Sequence, residues 1–378
     1  MPNSGFTNEA VGVKYGDMDP FKILCQLAGL QTADQLKFHG VREVPWSRGE
    51  SVYLIEEEDQ YTGHVEEGLG TKNLAAEMMD ILSAWERMVK NLKQSHFSSI
   101  AQCCVAMIVN DMITLGVFPM TVLMHLAVGD SKWFKNEVRS NALIAGWQLA
   151  CQTSRCSWGG GETPTLRDVV YPRTVVLSGS GYGRIKPKER LIMKNVQSGD
   201  AIVFFESSGI HANGLTPARE IADTLTDGYL TRLSDNSTFG DALLTPTHIY
   251  VPIIEDCILE GVEIHYGVNI TGHGWKKLMR LEEPFTYAIN TLPQPQPIFQ
   301  FLQKHGNLTD KQAYETFNMG AGFAVYVPHS EIEKVIAIAR RHSISAWCSG
   351  KIRKQGSRKA VWIQPLDVLY EAEELAIR

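Results

Sequence analysis

The segment 207–214, with the sequence SSGIHANG, combines hydroxyl, imidazole and amide side chains with two glycines. An apolar run over 201–205 precedes it, and a helix-like stretch with Pro217 in its first turn begins near Leu215. In a loop between a strand and a helix, backbone N–H groups point towards a ligand bound at the helix N-terminus. Such a position suits a phosphate or another anion. An ordinary turn that uses Gly and Asn for positive φ explains the same residues.

A second cluster, EEGLGTK over 66–72, places two glycines beside a Thr and a Lys. It is not a P-loop, because that motif has Lys before Ser or Thr, whereas here Thr71 precedes Lys72. The glycines still admit a phosphate, and the Glu67 carboxylate suits Mg²⁺. The alternative is a glycine turn with a solvated lysine.

Two further carboxylates stand out from their surroundings. Asp111 follows Asn110 inside the otherwise apolar, helix-spaced segment 97–115. A carboxylate is costly to bury there unless it is paired or binds a cation, although a solvent-facing position also fits helix periodicity. Glu162 follows three consecutive glycines, 159–161, which permit close approach of a ligand or form a flexible turn.

Two polar glycine loops complete the set of candidates. In TFNMGAG (316–322), Gly320 and Gly322 either let the backbone lie against a ligand or mark a β-bulge. In NITGHG (269–274), His273 is as well explained by a structural hydrogen bond as by catalysis. With Glu67, Asp111 and Glu162 as candidate metal ligands, this inventory suits ATP-dependent chemistry, since Mg²⁺ takes few carboxylates together with phosphate oxygens and water.

The elements that must position these residues alternate between helix and strand, which predicts an α/β or α+β protein with two domains, 1–185 and 186–378. Helices are predicted at 19–30, 97–115, 136–154, 247–260, 298–305 and 330–342, and from Leu215. Strands are predicted at 51–55, 117–128, 174–182, 201–205, 322–327, 343–352 and 359–364. Sheet topology does not follow from these patterns.

Composition narrows the class of protein. The 378 residues include 36 basic and 42 acidic side chains, and the net charge of −6 argues against non-specific nucleic-acid binding. The sequence lacks a run of eighteen apolar residues and a secretory signal at its start, so we expect a cytoplasmic protein without a membrane span. The seven cysteines include no C-x-x-C pair, so we expect reduced thiols rather than a zinc site.

Taken in order, the clusters resemble those of the phosphoribosylformylglycinamidine cyclo-ligase (aminoimidazole ribonucleotide synthetase) family. That family carries D-G-V-G-T-K, V-N-D, G-G-E-T, S-S-G-x-H-x-N-G and T-F-N-x-G-x-G. The matching stretches here are 67–72, 109–111, 160–163, 207–214 and 316–322, and the likeness extends over about residues 11 to 350. It implies an N-terminal ferredoxin-like domain whose strands form a barrel in a homodimer, and a C-terminal α/β domain, with the site between the domains.

The resemblance also implies Mg²⁺ and ATP as cofactors, a small nucleotide substrate, and closure of an imidazole ring after phosphorylation of a formyl oxygen. Metal ligands would be Glu67, Asp111 and Glu162. Nucleotide contacts would come from Gly68, Gly70, Thr71, Lys72, Asn110, Gly160, Gly161, Asn318 and Gly320. Substrate contacts would come from Ser207, Ser208, Gly209, His211, Asn213 and Gly214. The catalytic residues would be His211, Lys72 and Asp111, although a structural role for His211 stays open.

The sequence departs from the family pattern at several points. Glu67 replaces the usual Asp, and 43–51 reads EVPWSRGES where a glycine-rich loop normally covers the nucleotide. Residues 351–378 extend past the family core. Ile210, Ala212 and Leu215 stand where the family often has Pro, Ser and Tyr. A kinase-like relative for another small molecule and a non-catalytic ATP-binding relative are therefore alternatives, and the exact substrate does not follow from the sequence.

Overall fold

The computed structural model describes residues 5–84, 95–192 and 195–375, and these build two β-sheets with helices packed on them. Residues 1–4, on which most of the prediction of an absent secretory signal rests, lie outside the described part.

The first sheet has six strands in the order β1-β2-β3-β6-β4-β5. Neighbouring strands run antiparallel, except that β4 and β5 are parallel. Its strands are β1 (Arg42–Glu43), β2 (Tyr53–Glu56), β3 (Tyr61–Gly68), β4 (Phe118–Val128), β5 (Ser157–Glu162) and β6 (Val175–Ile185).

The second sheet has seven strands in the order β13-β12-β9-β11-β7-β10-β8, and only the β9–β12 pair is parallel. Its strands are β7 (Ala201–Glu206), β8 (Tyr266–Asn269), β9 (Thr286–Ile289), β10 (Ala321–Val327), β11 (Ala346–Arg353), β12 (Ala360–Ile363) and β13 (Val368–Glu371). The chain thus passes from one sheet to the other between Ile185 and Ala201, next to the predicted domain boundary.

The described α-helices are α1 (Tyr15–Leu30), α2 (Lys72–Leu82), α3 (Phe97–Met112), α4 (Glu137–Thr153), α5 (Leu215–Thr224), α6 (Phe239–Leu243), α7 (Val251–Leu259), α8 (Pro297–His305), α9 (Asp310–Thr316) and α10 (Ile332–Arg341). The stretch 97–115, formed by α3 and a 3-10 turn, is long and apolar enough to cross a membrane by composition, but its apolar window is 83% buried inside the protein. It is the core helix of the first half.

Helix α3 covers one face of the first sheet, where it lies against β3 and β6. Gly181 on β6 makes this approach close, because a Cβ there would sit 2.5 Å from Ile108 Cγ2 and 2.7 Å from Met112 Sδ. On the opposite side of the sheet, Leu123, Val176 and Tyr182 are 43–49% exposed. The first sheet therefore has one packed face and one face that the described part of the chain leaves open.

Most predicted elements are present within a few residues of their predicted bounds. The exception among the glycine clusters is 157–162, which is the edge strand β5 and not a flexible turn. Gly161 explains why: a Cβ there would meet the Met124 carbonyl oxygen at 1.9 Å, so the glycine permits close pairing of β5 with β4. Several elements have no counterpart in the prediction, namely β1, β3, β8, β9, β13, α2, α6 and α9.

Candidate active site

Glu67 and Asp111 form a pair of neighbouring carboxylates where β3 ends beside the last turn of α3. Asp111 is 6% exposed, so its carboxylate does not face solvent, and its Oδ1 accepts a hydrogen bond from Asn269 Nδ2 at 2.7 Å. Burial and the adjacent Asp111 charge raise the pKa of Glu67. Two carboxylates held together in this way attract a cation, because their mutual repulsion is relieved when positive charge lies between them.

Glu162 does not join this pair within one chain. It is exposed on the edge strand β5, in register with His125, which in turn pairs with Ser178 and then Gly68. Three strand spacings separate it from the end of β3, roughly 14 Å in all. Across the described residues, no group of three or more His, Cys, Asp or Glu side chains is placed to hold a metal ion. The predicted three-carboxylate site is thus not assembled by the described part of a single chain.

The turn 68–72 joins the two halves of the protein. Lys72 is fully buried at the start of α2, and its ammonium donates to the carbonyl oxygens of His211 (2.6 Å) and Thr245 (3.0 Å). Thr71 Oγ1 lies 3.1 Å from Thr216 Oγ1 in α5. The solvated lysine of the turn alternative is therefore wrong, and in this conformation the ammonium is directed at protein carbonyls.

The segment 207–214 lies, as predicted, between β7 and the N-terminus of α5. Gly209 and Gly214 have φ of 147° and 74°, conformations that favour glycine. The Ser207 N–H donates to the Gly320 carbonyl (2.9 Å), and Ser208 Oγ donates to the Pro246 carbonyl (2.6 Å). The loop is shaped by bonds within the protein, and its half-buried Asn213 lies beside Gly272.

His211 occupies a strained position in this loop, with φ of 58° and only 4% exposure. Burial is the main cause that lowers its pKa well below the usual value, with smaller contributions from His248 and Lys72, so the ring is neutral at pH 7. Nε2 accepts the Ser208 N–H at 3.1 Å, which assigns the proton to Nδ1. Among the described residues Nδ1 has no hydrogen-bond partner, so it is the ring atom left to meet a substrate.

Asn110 and Asn318, both predicted to contact the nucleotide, form side-chain hydrogen bonds with backbone groups of the protein. Asn110 donates to the His248 carbonyl and accepts from the Tyr250 N–H, both at 2.9 Å. Asn318 donates to the Gly209 carbonyl at 2.8 Å and accepts from the Gly320 N–H at 3.0 Å. Both therefore shape the loops around His211.

The TFNMGAG segment forms the bulge that one interpretation of its glycines predicted, with the register of β10 against β7 shifting between Ala321 and Phe323. A Cβ on Gly322 would lie 2.0 Å from the Tyr250 hydroxyl and 2.5 Å from His211 Cε1. Gly320, with φ of 95°, lies against Pro293 and Pro295. The bulge thus makes room for the His211 ring.

Lys277 is a further charged residue of this region, and no sequence motif indicated it. It lies in a 3-10 turn, Gly274–Met279, with its ammonium hydrogen-bonded to Thr271 Oγ1 and acted on by the charges of Asp111 and Glu67. His273 stacks on Tyr15 with ring centroids 3.9 Å apart, and burial is the main cause that lowers its pKa to about 4. These contacts favour the structural alternative for His273. In the sequence, the one feature that could have pointed to Lys277 is its position three residues after the NITGHG loop.

Both halves of the chain match family models. The family model for the N-terminal domain of AIR synthase related proteins matches residues 75–185, and the model for the C-terminal domain matches residues 197–363. The two-sheet fold therefore corresponds to the two-domain architecture of AIR synthase related proteins.

Curated relatives at more than 30% sequence identity identify the family within this class of proteins. A phosphoribosylformylglycinamidine cyclo-ligase from Methanocaldococcus jannaschii is 34% identical over 79% of this chain and 80% of its own length. One from Methanococcus maripaludis is 34% identical over 85% of this chain and 86% of its own length. The chain belongs to the phosphoribosylformylglycinamidine cyclo-ligase family.

Solved structures share the fold at low sequence identity. The HypE–HypF complex matches with a TM-score of 0.57 and 14% identity, covering 85% of this chain and 92% of that chain. T. maritima PurL complexed with ATP matches with a TM-score of 0.54 and 13% identity, over 87% of this chain and 46% of that chain. AaThiL complexed with AMPPCP and TMP gives 0.53 and 14%, over 85% and 89%.

Proposed function

We propose that the protein catalyses the ATP-dependent closure of formylglycinamidine ribonucleotide to aminoimidazole ribonucleotide in purine biosynthesis, in the cytoplasm. The observation that carries the proposal is the convergence of the 66–72, 110–111, 207–214 and 316–322 segments on one region between the two sheets, in a chain 34% identical to curated cyclo-ligases. The formyl oxygen attacks the γ-phosphorus of ATP and displaces ADP. The amidine-derived nitrogen then attacks the formyl carbon, and inorganic phosphate and a proton leave as the imidazole ring closes. Such chemistry depends mainly on positioning and charge neutralisation.

The Glu67–Asp111 pair fits Mg²⁺. The pair supplies hard oxygen ligands. Burial, and after it the adjacent Asp111 charge, raises the pKa of Glu67, and a bound cation would favour its ionised form. When bound, the metal would neutralise charge on the ATP phosphates. Asn269 orients the Asp111 carboxylate for this task through its 2.7 Å hydrogen bond.

His211 is assigned to contact the formyl oxygen or the transferred phosphoryl group through Nδ1–H. The neutral ring is a hydrogen-bond donor there, and Nε2 is fixed by the Ser208 N–H. Ser207, Ser208, Gly209, Asn213 and Gly214 would form the wall against the substrate. Nucleotide contacts are assigned to Gly68, Gly70, Thr71 and Lys72, with Asn110, Asn318 and Gly320 at the joints between loops and Gly160 and Gly161 on β5.

We propose that the protein is a homodimer built on the open face of the first sheet. Exposed apolar side chains on an uncovered face mark an interaction surface, and Leu123, Val176 and Tyr182 supply it. Val176→Asp should give a monomer by light scattering, whereas Val169→Asp, at an 80% exposed position outside the first sheet, should leave the dimer intact. An unchanged dimer in Val176→Asp would refute this interface.

Glu162 can serve the Glu67–Asp111 metal site only from a second chain, given its separation from β3. Mixing Glu67→Gln and Glu162→Gln chains, each inactive alone, should then restore part of the ATP turnover. Absence of recovery in verified mixed dimers would remove Glu162 from the metal site.

The deciding experiment for the activity measures ATP hydrolysis with and without formylglycinamidine ribonucleotide, together with the absorbance of the imidazole product. We expect hydrolysis that depends on this substrate, and loss of most turnover in a folded His211→Ala variant. The exposed His329→Ala variant is the matched control and should retain full activity. ATP turnover without the imidazole product would indicate a kinase-like relative, and binding without turnover a non-catalytic one.

A further inference from the structure

A cavity of about 300 Å³ opens where the far end of the first sheet meets helix α7 of the second half. Its walls come from the start of β4, the end of β6 and α7. Ser178 of β6 pairs with Gly68 beside the candidate active site, whereas Arg184, in the wall of the cavity, lies six positions further along β6. Six strand residues span roughly 20 Å, so the cavity is separate from the Glu67–Asp111 pair.

The side chains around the cavity carry an excess of positive charge. Four cations and one carboxylate line it, namely Arg155, Arg184, Lys186, Arg190 and Glu255. Arg155 Nη1 lies 3.0 Å from carboxylate oxygens of both Glu255 and Asp256, and Lys186 pairs with Asp59. Among the described residues, no carboxylate forms an ion pair with Arg184 or Arg190. These two guanidinium groups are therefore the charges left for a ligand.

Phe118, at the start of β4, brings the two guanidinium groups to the same place. It pairs with Arg184 in antiparallel register, which puts both side chains on one face of the sheet. The Arg190 guanidinium lies 5.9 Å from the centroid of the Phe118 ring, and its Nη1 donates to the Lys186 carbonyl at 2.8 Å. Because a guanidinium has five N–H donors, this bond fixes Arg190 and leaves most of its donors available.

We propose that this cavity binds a phosphate group, at a site separate from the candidate active site. Guanidinium groups bind phosphate oxygens through paired, charge-assisted hydrogen bonds, and two such groups share this cavity. The volume is at the lower end of the range of small-molecule sites, roughly 300–1,000 Å³, which suits inorganic phosphate or a small phosphorylated metabolite. The site does not depend on the proposed cyclo-ligase activity.

The test is equilibrium dialysis of the purified protein against radiolabelled inorganic phosphate at fixed ionic strength. Arg184→Gln and Arg190→Gln each remove one guanidinium, so each should weaken phosphate binding at least about tenfold. The matched control is Arg340→Gln, at an exposed position of α10, which removes the same charge and should bind like the wild type. Light scattering and urea unfolding check that the variants keep the wild-type assembly and fold, since Arg184 shares a sheet face with Tyr182.

A second arm of the experiment replaces phosphate by glycerol phosphate. Tighter binding of glycerol phosphate, lost in Arg184→Gln and Arg190→Gln, would identify a phosphorylated metabolite as the ligand, and otherwise the ligand is inorganic phosphate.

Three results would overturn the inference. The first is phosphate binding that is unchanged in Arg184→Gln and Arg190→Gln, because the anion would then occupy another site. The second is equal weakening in all three arginine variants, which would reflect net charge alone, and the third is no binding of either anion. Because the dialysis uses neither ATP nor turnover, each of these results is distinguishable from a failure to find the cyclo-ligase activity.

Discussion

The ammonium of Lys72 donates a 2.6 Å hydrogen bond to the main-chain carbonyl of His211, across 139 positions of sequence. The lysine starts α2 beside the first sheet, and the histidine lies in the loop that follows the first strand of the second sheet. A second bond, to the Thr245 carbonyl at 3.0 Å, fixes the neighbouring loop from the same ammonium. One buried charge therefore sets the spacing between the 66–72 cluster and the candidate substrate loop.

We expect Lys72→Met to destabilise the protein as well as to weaken nucleotide binding. Methionine fills a similar volume but leaves two carbonyl oxygens without their donor, each worth about 1–3 kcal/mol when buried. Urea unfolding should show a lower free energy of unfolding, and calorimetry with ADP should show weaker binding. The exposed Lys132→Met variant is the control and should be within about 0.5 kcal/mol of the wild type.

A different result would separate the two roles of Lys72. If Lys72→Met lost nucleotide affinity but unfolded at the wild-type urea concentration, the carbonyl contacts would carry no stability, and the lysine would act on phosphate alone.

The Gly322→Ala substitution probes the packing of β10 against His211. Its methyl group would sit 2.0 Å from the Tyr250 hydroxyl and 2.5 Å from His211 Cε1, so the rings must shift. We expect a stability loss of about 1–3 kcal/mol from overpacking, with a fall in turnover. Gly16→Ala, in α1 and with open space around its Cβ position, should be neutral or stabilising by up to about 1 kcal/mol. Normal turnover in Gly322→Ala would show that the His211 position is not set by this contact.

The sequence predicted well those elements that carry a long, one-sided pattern. Helix α3 follows from apolar spacing over 97–115, and the β7–loop–α5 unit follows from an apolar run that ends in Ser and Gly. By contrast, β8 and β9 are four-residue strands buried on both faces, so they have no periodicity to detect. The pairing of β9 with β12, across 74 positions, depends on tertiary structure that local patterns do not encode.

The site was also predicted only in part, because local sequence patterns do not encode the contacts that tertiary structure creates. Residue type and motif order pointed to Glu67 and Asp111, which do lie together. The amide of Asn110, however, hydrogen-bonds to backbone groups 138 and 140 positions away, which the sequence did not predict. Lys277 was missed because its neighbours in space, not in sequence, give it a role. The separation of Glu162 from Glu67 depends on strand order, which the sequence did not reveal.

His265 should make stability depend on pH. It is 2% exposed and hydrogen-bonded to Asp200 at 2.7 Å and Glu263 at 3.0 Å. Burial lowers its pKa, but the hydrogen bonds to both carboxylates outweigh this and raise the pKa above 6.5. A raised folded pKa means that the stabilisation is complete below pH 6.5 and is lost as the pH rises through the folded value.

The measurement is the free energy of unfolding of the wild type minus that of His265→Gln, taken over a pH series. This difference should fall as the pH rises above 6.5. A difference that stayed flat, or grew with pH, would mean that His265 is neutral in the folded protein.

Asn110 joins helix α3 to the segment 248–250. Its amide bonds to both the His248 carbonyl and the Tyr250 N–H at 2.9 Å, so it needs one donor and one acceptor. Asn110→Asp keeps the acceptor but places a negative charge against a carbonyl and beside Asp111, whereas Asn110→Ala removes both bonds. We expect Asn110→Asp to lose at least as much stability as Asn110→Ala, about 1–3 kcal/mol, in urea unfolding without nucleotide. If Asn110 instead contacted only the nucleotide, both variants would be as stable as the wild type and would differ from it only in weaker ADP binding.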